Sequence, residues 1–151
     1  MNISWSFKPF DELTARELYA IIRLRNEVFV VEQNCVFQDA DNKDQPSFHL
    51  MGWDGQVLAC YTRLLPAGIS YVEPSIGRVV VSPIKRDLGL GRELMLQAIT
   101  YLYSIWNKQS IRIGAQLYLK KFYESLGFQQ SSEVYLEDGI EHIEMLLPVV
   151  A

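Results

Sequence analysis

The chain has 151 residues, 49% hydrophobic and 21% charged, a balance that lets one domain bury a core without disulfides or metals. A net charge of −4 gives no nucleic-acid signature, and no apolar run approaches the roughly 20 residues of a membrane helix. Residues 1–10 lack a charged-then-apolar leader, and Cys35 and Cys60, the two cysteines, form no CxxC. Together these predict a single cytoplasmic domain over residues 1–151, with no membrane or nucleic-acid partner.

Ile3 to Phe7 alternates as a strand does. Thr14-Ala15-Arg16-Glu17 is a capping-box pattern opening a helix, with Leu18, Ile21, Ile22, Val28 and Phe29 on one face. Asn34 to Asp44 is polar and acidic and reads as a solvated loop; Lys43, Asp44 and Leu50 break the calcium-loop pattern there. Phe48–Trp53 and Val57–Leu65 read as strands joined by the Asp54-Gly55 turn. Pro66, Gly68, Pro74 and Gly77 mark an irregular connection to a buried strand, Arg78 to Val81.

After Pro83, a long helix is predicted from about Gly89 to Trp106, with Leu94, Met95, Ala98, Ile99, Leu102 and Ile105 on its core face. Tyr101, Tyr103 and Trp106 read as packing. Ile111–Ala115 is a short strand, and Leu117–Leu126 a helix stopped by Gly127. Phe128–Leu136 and His142–Leu147 alternate as strands around Asp138-Gly139. The order β-α-β-β-β-α-β-α-β-β predicts an α/β fold, one mixed sheet with helices on its faces.

Charge is unevenly spread along this order. Residues 74–123 carry 8 basic and 2 acidic side chains, a net +6, while residues 124–151 carry 6 acidic and no Lys or Arg. A basic middle between acidic flanks points either to a compact anionic ligand held by one segment or to segments that mix their charges in space on folding.

The segment Val79-Val80-Val81-Ser82-Pro83-Ile84-Lys85-Arg86-Asp87-Leu88-Gly89-Leu90-Gly91-Arg92 gives that ligand a place. A strand runs into a glycine-spaced turn that opens a helix, and helix starts present unpaired N–H groups and partial positive charge. Gly89 and Gly91 let backbone approach a phosphate, and Lys85, Arg86 and Arg92 add charge. The Walker Gly-Lys-Ser/Thr is missing, and Gly89-Leu90-Gly91 lacks the third glycine of a dinucleotide fingerprint.

Strand, Pro, then Arg-x-x-Gly-x-Gly into a helix resembles the acyl-CoA motif of the GNAT N-acetyltransferase superfamily. Phe122-Tyr123-Glu124-Ser125-Leu126-Gly127-Phe128 is similar to that superfamily's FYxxxGF element. Residues 24–35 (LRNEVFVVEQNC), 114–116 (GAQ) and 138–145 (DGIEHIEM) look like the ElaA-type proteins within it. The resemblance implies a GNAT-like fold, a mostly antiparallel mixed sheet with helices on both faces. It also implies acetyl-CoA as cosubstrate, no metal, and a small-molecule or peptide amine as acceptor. The backbone of Val79, Val80 and Val81 would pair with the pantetheine arm. The turn of Arg86, Asp87, Leu88, Gly89, Leu90 and Gly91, with Arg92 beside it, would cradle the pyrophosphate. Tyr123 would protonate the departing thiolate. Asp87 stands where glycine is usual, and Gln116 stands where many members contact the pantetheine with Asn.

The general base has no obvious owner, because Arg78–Val81 carries no carboxylate. Glu32, Glu73, His49 and His142 are the candidates. His142 follows a tight turn, and imidazole titrates near neutral pH. Glu32 reads alternatively as a group that binds a cationic amine or caps the helix end, and a water chain to bulk solvent with no single base is a further alternative. Each histidine has an ordinary alternative as a hydrogen-bonded structural residue, and Tyr123 as a core aromatic. A non-catalytic CoA-binding module, a different acyl donor and a hydroxyl acceptor stay open, as does oligomeric state, a homodimer included.

Overall fold

The computed structural model describes residues 2–149. Strand β1 (Ser4–Pro9) leads to helix α1 (Ala15–Arg25), and the capping box forms as the sequence predicts. Thr14 Oγ1 accepts from the Glu17 N–H at 3.1 Å, and Glu17 Oε1 accepts from the Thr14 N–H at 2.8 Å. Helix α1 does not simply stop. It loosens into a π-helical segment, Asn26–Glu32, which continues its apolar face through Val28.

Strands β2 (Phe48–Asp54), β3 (Val57–Leu65) and β4 (Ser75–Val81) join β1 in an antiparallel sheet of order β1-β2-β3-β4. Gly55, at φ 61, turns the β2–β3 hairpin. Gly77, expected in the connection, lies inside β4. Helix α2 (Leu90–Trp106) packs on one face of this sheet; its Leu94, Met95 and Leu102 are fully buried. Each contributes about 1.5–3 kcal/mol relative to exposure. On the other face, Ile21, Leu24 and Val28 meet Met51, Leu58, Tyr61 and Val80. Phe7 stacks on Tyr101 at 4.4 Å, and Phe48 meets Trp106 edge-on at 5.8 Å, so the aromatic stripe of α2 is packing.

The second sheet is built from β5 (Ile111–Gln116), β6 (Gln129–Gln130), β7 (Tyr135–Glu137) and β8 (Ile140–Leu147), with helix α3 (Lys120–Glu124) between β5 and β6. All of its pairings are antiparallel and run through β8. Two expectations are corrected here. The helix over 117–126 is a 3-10 turn, Leu117–Leu119, followed by the short α3. The strand over 128–136 is broken into β6 and β7.

The single continuous sheet is corrected too. Strands β4 and β5 lie side by side, and the Arg112 N–H donates to the Pro74 carbonyl at 3.2 Å. Beyond that contact no ladder joins them among the described residues. Each has one ladder partner, β3 for β4 and β8 for β5. Their facing edges therefore keep backbone N–H and C=O groups open to another extended chain.

Strand β4 carries a bulge that alternation in the sequence does not reveal. Tyr61 pairs with Val80 and Arg63 with Gly77, leaving Arg78 and Val79 together opposite Thr62. Arg78 takes φ 52, unusual for a side-chain-bearing residue. The extra residue switches faces. Ile76, Val79 and Val81 belong to the α2 side, while Val80 belongs to the α1 side. Among the described residues no helix is long and apolar enough to cross a membrane.

Candidate functional site

The turn after β4 ends at Gly89, which caps α2 in a left-handed conformation, φ 73 and ψ 12. A Cβ on Gly89 meets nothing within 4 Å, so glycine is required there by backbone conformation, not by crowding. No side chain caps α2. The first N–H groups of a 17-residue helix are thus left without a capping side chain, at the positive end of its dipole. Asp87 also adopts a positive φ, 66, which Asp tolerates better than most residues. Arg86, Asp87, Leu88 and Gly89 are exposed, and Leu90 and Gly91 open the helix.

The basic residues of this turn already have partners. Arg86 Nη1 and Nη2 donate to the two oxygens of Glu32 at 2.8 and 2.6 Å. Lys85 pairs with Asp54 at 2.6 Å, and Arg92 donates to Ser125 Oγ at 3.3 Å. The Arg86 bond holds the Glu32 carboxyl below the usual carboxylate range. Glu32, one of the base candidates, is here the carboxylate that pairs with Arg86.

Gln116 ends β5 and exchanges hydrogen bonds with Gln33 at 3.3 and 3.4 Å. Tyr123 of α3 is 6% exposed, with Phe122 and Phe128 edge-on at 5.1 and 5.9 Å. Burial, and then nearby Tyr118, pushes its phenol above the ordinary value, so it stays protonated at neutral pH.

A polar face forms where β5, β7 and β8 pair. Gln116 and Tyr135 both stand opposite His142, and Gly114 stands opposite Glu144. Pairing partners share a sheet face. Gly114 is needed for space: a Cβ there comes within 2.9 Å of the Tyr71 hydroxyl and 3.2 Å of the Tyr135 hydroxyl. His142 Nδ1 lies 2.7 Å from the Ile140 carbonyl, which can accept but not donate. Nδ1 therefore carries the proton, and in the neutral ring Nε2 keeps its lone pair. Nε2 lies 3.4 Å from Glu137, a carboxylate placed to pair with the ring when it is protonated. Tyr135 stacks on His142 at 5.9 Å and fixes the ring from one side.

The other two base candidates, Glu73 and His49, both have protein partners. Glu73 is held by Arg112 in two hydrogen bonds of 3.0 Å. His49 is fully buried, with Nε2 donating to the Asp44 carbonyl at 2.9 Å and Nδ1 taking the Tyr61 hydroxyl at 2.7 Å. Both its nitrogens are satisfied.

The solvated acidic loop is corrected most strongly. Asp39 and Asp44 are buried, and with Asp41 they bind three arginines from three elements. Arg25 of α1 meets Asp39 and Asp44, each at 2.8 Å. Arg63 of β3 meets Asp41 at 2.6 Å and Asp44 at 3.0 Å. Arg78, at the bulge, meets Asp39 at 2.9 Å and Asp41 at 3.2 Å. Burial alone would push the Asp44 carboxyl up, but Arg25 and Arg63 outweigh it and hold it low. Sequence reasoning missed Arg25, Arg63 and Arg78. The excess of Asp in residues 39–44 was the available signal.

A model of the "Acetyltransferase (GNAT) domain" family matches residues 17–148. The chain belongs to the GNAT family. Within it, the chain is 39% identical to the protein ElaA of Escherichia coli over 150 residues, covering 98% of each. A UPF0039 protein of Schizosaccharomyces pombe is 42% identical over 149 residues, 97% of each. These relatives make this GNAT protein one of the ElaA type. The crystal structure of an acyl-CoA N-acyltransferase from Pseudomonas aeruginosa superposes with a TM-score of 0.92 at 41% identity, covering 96% of this chain and 99% of that one. The E. coli ElaA structure superposes at 0.90 with the same coverage.

Proposed function

We propose that this GNAT protein is an acetyl-CoA-dependent N-acetyltransferase that moves an acetyl group to a primary amine by direct attack in a ternary complex. The observation that carries the reading is the α2 N-terminus without a capping side chain, next to the open edges of β4 and β5. An extended pantetheine arm suits the strand edges, and a pyrophosphate suits the helix start. The description of the P. aeruginosa relative as an acyl-CoA N-acyltransferase supports the donor class.

In this reading the backbone of Val79, Val80 and Val81 receives the pantetheine arm, with Gln116 on the facing strand. The turn from Arg86 through Asp87, Leu88, Gly89, Leu90 and Gly91 receives the pyrophosphate, and Arg92 stands beside it. The thioester supplies an activated acyl group.

The chain's own groups then handle the protons. A backbone N–H at the β4 bulge polarises the thioester carbonyl. His142 Nε2 takes the proton of the attacking amine, with Nδ1 fixed on the Ile140 carbonyl and Glu137 pairing with the charged ring. Tyr123 gives its proton to the leaving thiolate. Its burial keeps the phenol protonated at neutral pH. Glu137, Glu141 and Glu144 surround the acceptor side, and residues 124–151 contain no Lys or Arg. That field favours a cationic amine, such as a polyamine or a lysine side chain.

Free CoA measured over a panel of amines, with acetyl-CoA and longer acyl-CoA donors, tests the reading. Sustained amine-dependent release, fastest with acetyl-CoA and a cationic amine, supports it. Binding without turnover makes the protein a CoA-binding module. Faster release with a longer donor makes it a different acyltransferase.

A further inference from the structure

Residues 26–35 form a strap tied on three sides. Its π-helical part ends in Glu32, whose carboxylate grips both terminal nitrogens of Arg86. The next residue, Gln33, exchanges two hydrogen bonds with Gln116. Cys35 Sγ then donates to the Asp138 carbonyl, in the β7–β8 turn, at 3.3 Å. Arg86 follows β4, and Gln116 is the last residue of β5. The strap therefore spans the C-terminal ends of the two strands whose facing edges are open.

Both residues it grips are ones the acyl-CoA reading gives to the donor. The guanidinium fork that fits a phosphate is the fork that holds Glu32. The Gln116 amide that suits a pantetheine is the amide that holds Gln33. A π-helical turn is a costly local geometry that recurs at functional sites. The Arg86–Glu32 pair is exposed on both sides, at 40% and 41%, so exchanging one anion for another is inexpensive.

We propose that Glu32 and Gln33 act as a latch displaced by the acyl donor: pyrophosphate takes Arg86 from Glu32, pantetheine takes Gln116 from Gln33, and this part of the strap lets go while Val28 stays in the core. This rests on the acyl-CoA reading. Glu32 competes with the donor for Arg86 and weakens its binding. Once released, its carboxylate is repelled by the phosphates and swings toward the acceptor side. Donor binding then precedes the opening of the acceptor entrance.

Isothermal titration of CoA into the full chain, paired with amide hydrogen exchange, tests the latch. Glu32→Gln removes the charge and keeps the shape, and it should bind CoA roughly two- to fivefold more tightly, the range of one exposed ion pair. The gain should vanish in an Arg86→Ala background. Glu27→Gln removes an equal charge from the same segment, whose partner is Arg23, and should give a smaller gain. In the wild type, saturating CoA should speed exchange at residues 31–34. Unchanged or weaker binding by Glu32→Gln, an equal gain from Glu27→Gln, or slowed exchange in the strap overturns the latch alone. A wild-type chain that binds no CoA overturns the acyl-CoA reading, and the latch with it.

Discussion

Two arginine-rich regions flank β4, and they differ in how completely their charges are satisfied. Beyond the strand, Arg86 is exposed and held by one carboxylate, and Arg92 by one hydroxyl. Beneath the bulge, Arg25, Arg63 and Arg78 share three aspartates, and Arg25 is fully buried. An exposed pair can trade its anion for a phosphate with little loss. A buried network cannot, because each broken contact strands a charge in low dielectric. On the proposed acyl-CoA reading the first region is re-paired by the ligand, while the second ties α1, β3 and β4 to residues 39–44.

That contrast breaks down if the two regions respond alike to mutation. Arg25→Ala leaves Asp39 and Asp44 buried and under-paired, and should destabilise the fold by about 3–5 kcal/mol in urea titration. Arg86→Ala should change stability by less than about 0.5 kcal/mol. Equal losses would contradict the division. On the ligand side, the effect should appear in turnover. Tyr123→Phe should lower kcat on the order of a hundredfold with little change in KM for acetyl-CoA. An unchanged kcat would remove the acid role.

Gly89 sharpens the boundary between the regions, because its φ of 73 serves the ligand side through the backbone. Gly89→Ala should cost about 1 kcal/mol in stability and weaken CoA binding, as followed by thermal melts and calorimetry. The smallest effect is on pH. Burial holds His49 below the ordinary imidazole value, so the unfolded chain takes up a proton that the folded chain refuses. Stability should therefore fall as pH drops through about 6.5. A second loss should begin near pH 4, where unfolded carboxylates protonate before Asp44, and continue toward its lower folded value. His49→Gln should remove the first fall and keep the second. A melt series from pH 8 to 3 separates them.

The legible parts of the sequence were those whose signal is local. The capping box at Thr14 and Glu17, the Asp54-Gly55 turn, and the strand-to-helix passage at Gly89 each lie within a few residues. The element order as far as α3 agreed with the sequence reading. The parts that stayed hidden depend on partners far apart in the chain. Asp39 meets Arg78 across 39 positions, so residues 39–44 looked solvated when read alone. The Arg78 bulge adds one residue to a β-branched run, and no periodicity marks it. The gap between β4 and β5 is a missing pairing, which no single strand announces. At the site, the donor side was written in one motif, whereas Arg86 and Glu32 were both named without any sign that they hold each other. His142 was one of four base candidates, and the contact of its Nδ1 with the Ile140 carbonyl could not be read from the sequence.

The most direct test of the central claim is calorimetric titration of CoA into the wild-type chain and into the Arg86→Ala, Gly89→Ala double variant. The account predicts one CoA bound per wild-type chain and loss of binding in a folded double variant. Binding unchanged by the two substitutions, or absent from the wild type, would contradict it.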